Sequence, residues 1–330
     1  LIGWKNASDN PKVASVRIRC LEPLGILQGR DYPVELFQKR RNADYQVVVF
    51  NKVYDQDHLD LALRLKKQGV KVVLDLCDNH LYNPHNDKDM AAKSKRLLQM
   101  LEIAHTVTVP CVEMQRILPV ASHIVRDGVR PLSKSESWQR GLTRCMRRHQ
   151  RNLVWFGNWG GCWRSGLRPG GMSELLAHQE KLVDLAKRYD MGLTIISNNR
   201  KMFGKLFGDW DMPVYYEEWG SDQRLRRNLA RFDVCLLPIS EDPFTICKSN
   251  NRLTLALYLG LPVIADAIPG YREFAPYCVV SDWENGLEGL VTGRQMPATA
   301  AGKEYVENNY MTVHAANDWQ KFFDQVRERG

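Results

Sequence analysis

The sequence predicts an α/β protein built of two doubly wound domains that face each other across a cleft. Three observations lead there. The 330 residues exceed what one compact core of about 150 residues needs. Short apolar, strand-like runs alternate with segments of helical period, and the alternation occurs twice. Between the two series lies a basic, polar stretch with Pro131, several Ser, Arg140, Arg144, Arg147 and Arg148.

The first series places Arg17 and Arg19 where the loop after a first strand should meet its helix. Residues 46–50 (Gln-Val-Val-Val-Phe) read as a buried strand. A helix over 57–65 puts Leu59, Ala62 and Leu63 on one side, and Gly69 closes it as a C-cap residue. Residues 70–76 are continuous enough in apolar character to be central in a parallel sheet. A helix over 88–103, a strand over 106–109 and a short helix over 112–118 complete the series.

In the second series, a strand over 153–156 ends at Gly157 and a glycine-rich loop runs to Gly171. A helix over 172–189, strands over 193–196 and 214–216, a helix over 222–232 and a strand over 233–237 follow. Residues 248–259 read as a helix capped by Gly260, leading into a strand over 262–265. A final amphipathic helix aligns Trp319, Phe322, Phe323 and Val326, and could cross back to the first domain. The expected division is 1–135 for an acceptor-side domain, 136–151 for a linker, 152–311 for a nucleotide-binding domain and 312–330 for the last helix.

Composition narrows the class. No apolar run approaches the roughly 20 residues of a membrane-spanning helix, so a cytoplasmic chain is expected, with a peripheral place at a membrane's inner face as a variant. The eight cysteines show no Cys-x-x-Cys and no metal-like spacing, which argues for reduced thiols and against zinc or disulfides. Residues 1–150 hold 25 Lys and Arg against 16 Asp and Glu, a balance of +9, whereas 151–330 hold 21 against 22. The excess charge points to an anionic partner for the first half, or to a merely solvated basic face.

Ligands of doubly wound sheets bind beyond the carboxyl ends of the strands. Lys248, Ser249, Asn250 and Arg252 cluster at an expected helix start, where free N–H groups and the dipole favour phosphate. Gly157, Asn158 and Asn198 follow strands in the same half and are further nucleotide-side candidates. In the first half, Asp78 and His80 could hydrogen-bond an acceptor hydroxyl or act as base, although an Asp-Asn pair is also an ordinary turn or cap. Arg17 and Arg19 suit a phosphate of acceptor or donor, or ordinary surface ion pairs.

The run 248–266, Lys-Ser-Asn-Asn-Arg through Gly-Leu-Pro-Val-Ile-Ala-Asp, resembles the donor-site helix and following strand of GT-B glycosyltransferases. The kinship looks nearest to the large, mostly retaining group that builds bacterial surface polysaccharides, and it covers most of 150–310. The resemblance implies two Rossmann-like domains, and a nucleotide-sugar as substrate with no separate cofactor and no metal. Together with the basic first half, this favours an anionic glycan or lipid-linked acceptor, and no recognisable nucleic-acid module is present. Asp78 and His80 resemble the strand end whose His often reaches the transferred sugar. The family's usual Glu in the donor helix is Leu255 here, and its acidic residue before the helix is replaced by Cys247 and Lys248; Glu241 or Asp242 could fill one of these roles from a shifted loop. The usual Arg/Lys pair after the domain's first strand gives way to Asn158, Trp159 and Arg164. A sugar-nucleotide 2-epimerase of the same architecture is the first alternative, and a non-catalytic protein that binds an anionic partner is the second.

Overall fold

The structure, a computed structural model, describes residues 1–143, 145–163 and 166–328. Arg144 and Arg164 therefore lie outside the described residues. The chain divides into two compact units. The first comprises residues 1–130, 246–249 and 310 onward; the second comprises 131–245 and 250–309.

The first unit is one six-stranded parallel sheet: β1 (Ile2–Lys5), β2 (Val34–Leu36), β3 (Val47–Asn51), β4 (Lys71–Asp75), β5 (Thr106–Val109) and β6 (Ser122–Ile124). The strands lie in the order β2-β1-β3-β4-β5-β6. Every residue of β3 is buried, as expected of a strand with helices over both faces. The helix Gln56–Lys67 buries Leu59, Ala62 and Leu65, while Leu63 turns outward. The last helix, Thr312–Glu328, belongs to this unit. Its Trp319, Phe322, Phe323 and Val326 pack with Ile2, Trp4 and Val49, and Trp319 meets Trp4 edge to face at 4.9 Å.

The second unit is another six-stranded parallel sheet, in the order β11-β10-β7-β12-β13-β14. Its strands are β7 (Arg151–Phe156), β10 (Met191–Ser197), β11 (Val214–Glu218), β12 (Val234–Leu237), β13 (Val263–Ala265) and β14 (Val279–Val280). A small antiparallel hairpin of β8 (Cys162–Trp163) and β9 (Gly166–Leu167) projects from the glycine-rich loop. The stretch expected as a linker is helical over Lys134–Thr143 and belongs to this unit. Its Arg140 donates to the carbonyls of Arg226 and, at 3.0 Å, Leu259. The expected single helix over 172–189 is a 3-10 segment, Met172–His178, followed by an α-helix, Gln179–Arg188.

Candidate active site

In the second unit the chain order reverses between β7 and β12, and such a switch point opens a crevice beyond the strand ends. The loop after β7 crosses itself there: a Cβ on Gly171 would lie 2.2 Å from the Trp159 carbonyl oxygen and 2.5 Å from Gly160 Cα. Only glycine permits that crossing. Asn158 accepts from the Gly160 N–H at 3.0 Å, and Asn198, just after β10, accepts from the Trp159 N–H at 3.1 Å. Both asparagines thus shape the loop. Glu174 ties it to the loop after β12, accepting from the Gly170 N–H at 2.6 Å and the Ser240 N–H at 2.9 Å. Asp266 braces the same β12 loop through the Ile239 N–H at 2.7 Å.

The helix at this switch point runs over Asn251–Tyr258, three residues shorter at its start than expected. Asn250 provides no side-chain cap; its amide donates to Glu273 at 3.3 Å. Arg252, in the first turn, sits over the Trp155 ring at 5.7 Å and interacts with the hydroxyl of buried Tyr271. A Cβ on Gly157 would lie 3.2 Å from Arg252 Nη1, so the missing side chain gives the guanidinium its place beside the β7 end. The unit therefore presents a half-buried cation and a helix start without a side-chain cap at the end of its first strand. Glu241 is different in kind: it is exposed, and its carboxylate pairs with Arg272 at 3.3 Å within the same unit.

In the first unit, the residues just past β3 and β4 form a charged cluster with the 246–249 segment. Lys52 adopts a left-handed backbone (φ 55°), unusual for a residue with a side chain, and its N–H donates to the Asp75 carbonyl at 2.8 Å. That turn aims its ammonium at Asp78, which also receives the ammonium of Lys248. Burial alone would raise the Asp78 carboxyl; Lys248 and Lys52 outweigh it and hold the group well below the usual carboxylate range. His80 is buried, with Nδ1 against the Tyr54 hydroxyl and Nε2 facing the Lys93 ammonium at 3.3 Å. Since an ammonium can only donate, the ring proton belongs on Nδ1. Burial, reinforced by Lys52 and Lys93, lowers the His80 pKa to about 2.

That shift has a sign. An unfolded chain protonates His80 below its ordinary value of 6.5, whereas the folded one does not until about 2. Stability from this group is therefore complete above the ordinary value and is lost as pH falls through that window. Urea melts of the wild type should lose up to about 1.4 kcal/mol per pH unit just below the His80 unfolded pKa, and His80→Asn should lose less. Equal slopes in the two proteins would remove His80 from this account.

Arg19 and Ser249 depart from expectation. Arg19 lies in a π-helical turn, Arg17–Leu21, and is 1% exposed. Its guanidinium forks onto Asp75 at 2.5 and 3.1 Å, reaches Asp127 at 3.1 Å, and donates to the Val125 carbonyl. Asp75 also accepts from Thr108 at 2.7 Å, and Asp127 from Ser249 at 2.6 Å. Arg19 thus organises the interior of its unit, whereas the sequence predicts a place at the cleft. Arg17 turns back on its own segment, donating to the Pro11 carbonyl at 3.0 Å. Ser249 is engaged by Asp127, and Lys248 by Asp78, so neither forms the first turn of the helix that begins at Asn251. A separate depression of about 690 Å³ borders Gln46, Lys71 and Arg327 at the amino ends of β3 and β4, the opposite edge of the sheet from this cluster.

Sequence reasoning missed Lys52, Tyr54, Asp127 and Glu174. Lys52 could have been found, because it directly follows a buried strand; the others carry no local signal.

No family profile matches the chain, and no curated protein matches it. Solved structures do. HepE from Anabaena, in complex with UDP and glucose, superposes with a TM-score of 0.66 at 12% identity, covering 98% of both chains. WaaG, a glycosyltransferase involved in lipopolysaccharide biosynthesis, superposes at 0.61 and 12% identity over 96% of this chain and 98% of its own. The pneumococcal O-GlcNAc transferase GtfA, with UDP and GlcNAc, reaches 0.58 at 10% identity, with 85% of this chain matching 56% of that one. The fold is GT-B. Among the described residues of this GT-B chain, no helix is long and apolar enough to cross a membrane.

Proposed function

We propose that the chain is a glycosyltransferase that moves a sugar from a nucleoside-diphosphate sugar to a hydroxyl acceptor. The observation that carries this reading is Arg252 beside the Gly157 backbone, at the switch point of the second unit's sheet. A donor diphosphate there would meet the guanidinium and a helix start without a side-chain cap. Both act on charge that builds up on the leaving group, with no metal needed in that role. HepE is known with UDP-glucose, which makes UDP and UDP-glucose the first ligands to try.

The first unit would serve the acceptor and the sugar. Asp78, fixed as a carboxylate between two ammonium groups, and His80, held neutral, are weak proton acceptors at neutral pH. They suit hydrogen bonding to hydroxyls better than proton abstraction. The positive balance of the first half favours an anionic glycan or a lipid-linked acceptor with phosphate.

Thermal shift against nucleoside diphosphates and their sugars tests the donor, since a ligand of the native state raises stability by mass action. Product analysis then separates transfer from 2-epimerisation. Arg252→Ala should weaken nucleoside-diphosphate binding by about 1.5–3 kcal/mol, roughly ten- to a hundred-fold, with the fold retained. Unchanged affinity by calorimetry would sink the assignment.

A further inference from the structure

The helix Lys134–Thr143 is amphipathic the wrong way round. Its inward side is polar: Glu136 and Thr143 are buried, and Arg140 is spent on the carbonyls of Arg226 and Leu259. Its outward side carries Trp138, 68% exposed, and one turn later Leu142, 58% exposed. Met146, beyond the helix, is 65% exposed, and its N–H donates to the Thr143 carbonyl at 3.0 Å. These are the three most exposed large apolar side chains among the described residues, and they fall within nine positions of one another. Scattered single apolar residues on a surface need no explanation; three this exposed within one short segment do.

The segment itself is strongly basic. Residues 134–148 hold five cations and a single acid, Glu136, which is turned inward and bonded to the Ser133 N–H at 2.8 Å. Lys134 and Arg148 are exposed, Arg148 lying over the Tyr215 ring at 4.3 Å, while Arg147 is paired with Asp233. Trp, Leu and Met with flanking Lys and Arg match the boundary of an anionic bilayer, where the apolar side enters the acyl region and the cations meet headgroups.

We infer that this face, Trp138, Leu142 and Met146 with Lys134 and Arg148, docks the protein on an anionic lipid surface. The inference does not depend on the donor or on transfer. It is tested with the full chain and vesicles of phosphatidylcholine, alone or with about 30% phosphatidylglycerol. The wild type should sediment with the anionic vesicles and not the neutral ones, less so as salt rises. Trp138→Ser/Leu142→Ser/Met146→Ser should weaken that binding by about tenfold or more. Lys134→Glu/Arg148→Glu, which leaves the apolar side chains in place, should weaken it as well. Lipids brominated on the acyl chains should quench part of the tryptophan fluorescence in the wild type and not in Trp138→Phe. Vesicle binding that ignores the apolar and the charge variants would overturn the inference. So would self-association that the triple variant abolishes in a protein that vesicles leave untouched, because a second copy would then be the occupant.

Discussion

Arg19→Met is expected to destabilise the first unit by about 3–5 kcal/mol, the cost of leaving buried charge without its partner. Asp75 is fully buried and Asp127 nearly so, and both lean on the one guanidinium. Methionine fills much of the same volume, so packing is roughly kept and the loss reports on charge. Arg19→Lys should fall between, since an ammonium keeps the charge but cannot fork onto Asp75. Adding Asp75→Asn to Arg19→Met should recover part of the loss. Denaturant unfolding followed by amide exchange in β3 and β4 measures this. A loss below about 1 kcal/mol, the scale of an exposed pair, would show that the network is solvated and not interior.

Trp319→Ala is the second large effect, expected at about 3–5 kcal/mol for a buried tryptophan truncated in a core. Trp319 is 1% exposed, stacks on Phe323 at 5.2 Å and meets Trp4 edge-on, while the Arg19 guanidinium lies 5.6 Å from its ring. The cavity would open between β1 and the last helix, so protection should be lost first in Ile2–Lys5. A variant as stable as the wild type would mean that the helix is only loosely docked. Trp319→Phe should recover more than half, because most of the lost contact area returns.

The same residues show where sequence reading succeeds and stops. The strands β3, β4 and β5 were legible because both faces are buried, which leaves an unbroken apolar run such as Val47 to Phe50. β1 was not, since Ile-Gly-Trp-Lys is four residues long and ends in a cation. β2 and β6, with three residues each and partial exposure, give no pattern to read. The start of the 251–258 helix was placed too early because Lys248 and Ser249 are drawn away by Asp78 and Asp127, partners more than a hundred positions distant. Arg19 looked like a ligand-binding arginine for the same reason. The 134–143 helix was read as a linker because its buried side is polar, which inverts the signal that periodicity detects. Among the nucleotide-side candidates, Arg252, Gly157 and Asn158 do gather at one switch point, since the rule about strand ends depends only on topology.

The first unit is discontinuous in the chain, and this sets an order for its biosynthesis. Ile2 and Trp4 leave the ribosome before any of the second unit does, yet the aromatic side chains that cover them arrive with positions 319–323, after it. The second unit, by contrast, is complete once residue 309 has been made. During vectorial synthesis it can therefore close while the first still exposes one side of its sheet. A nascent chain in that interval carries an apolar surface awaiting the helix Thr312–Glu328, which is where chaperone dependence and premature aggregation would concentrate.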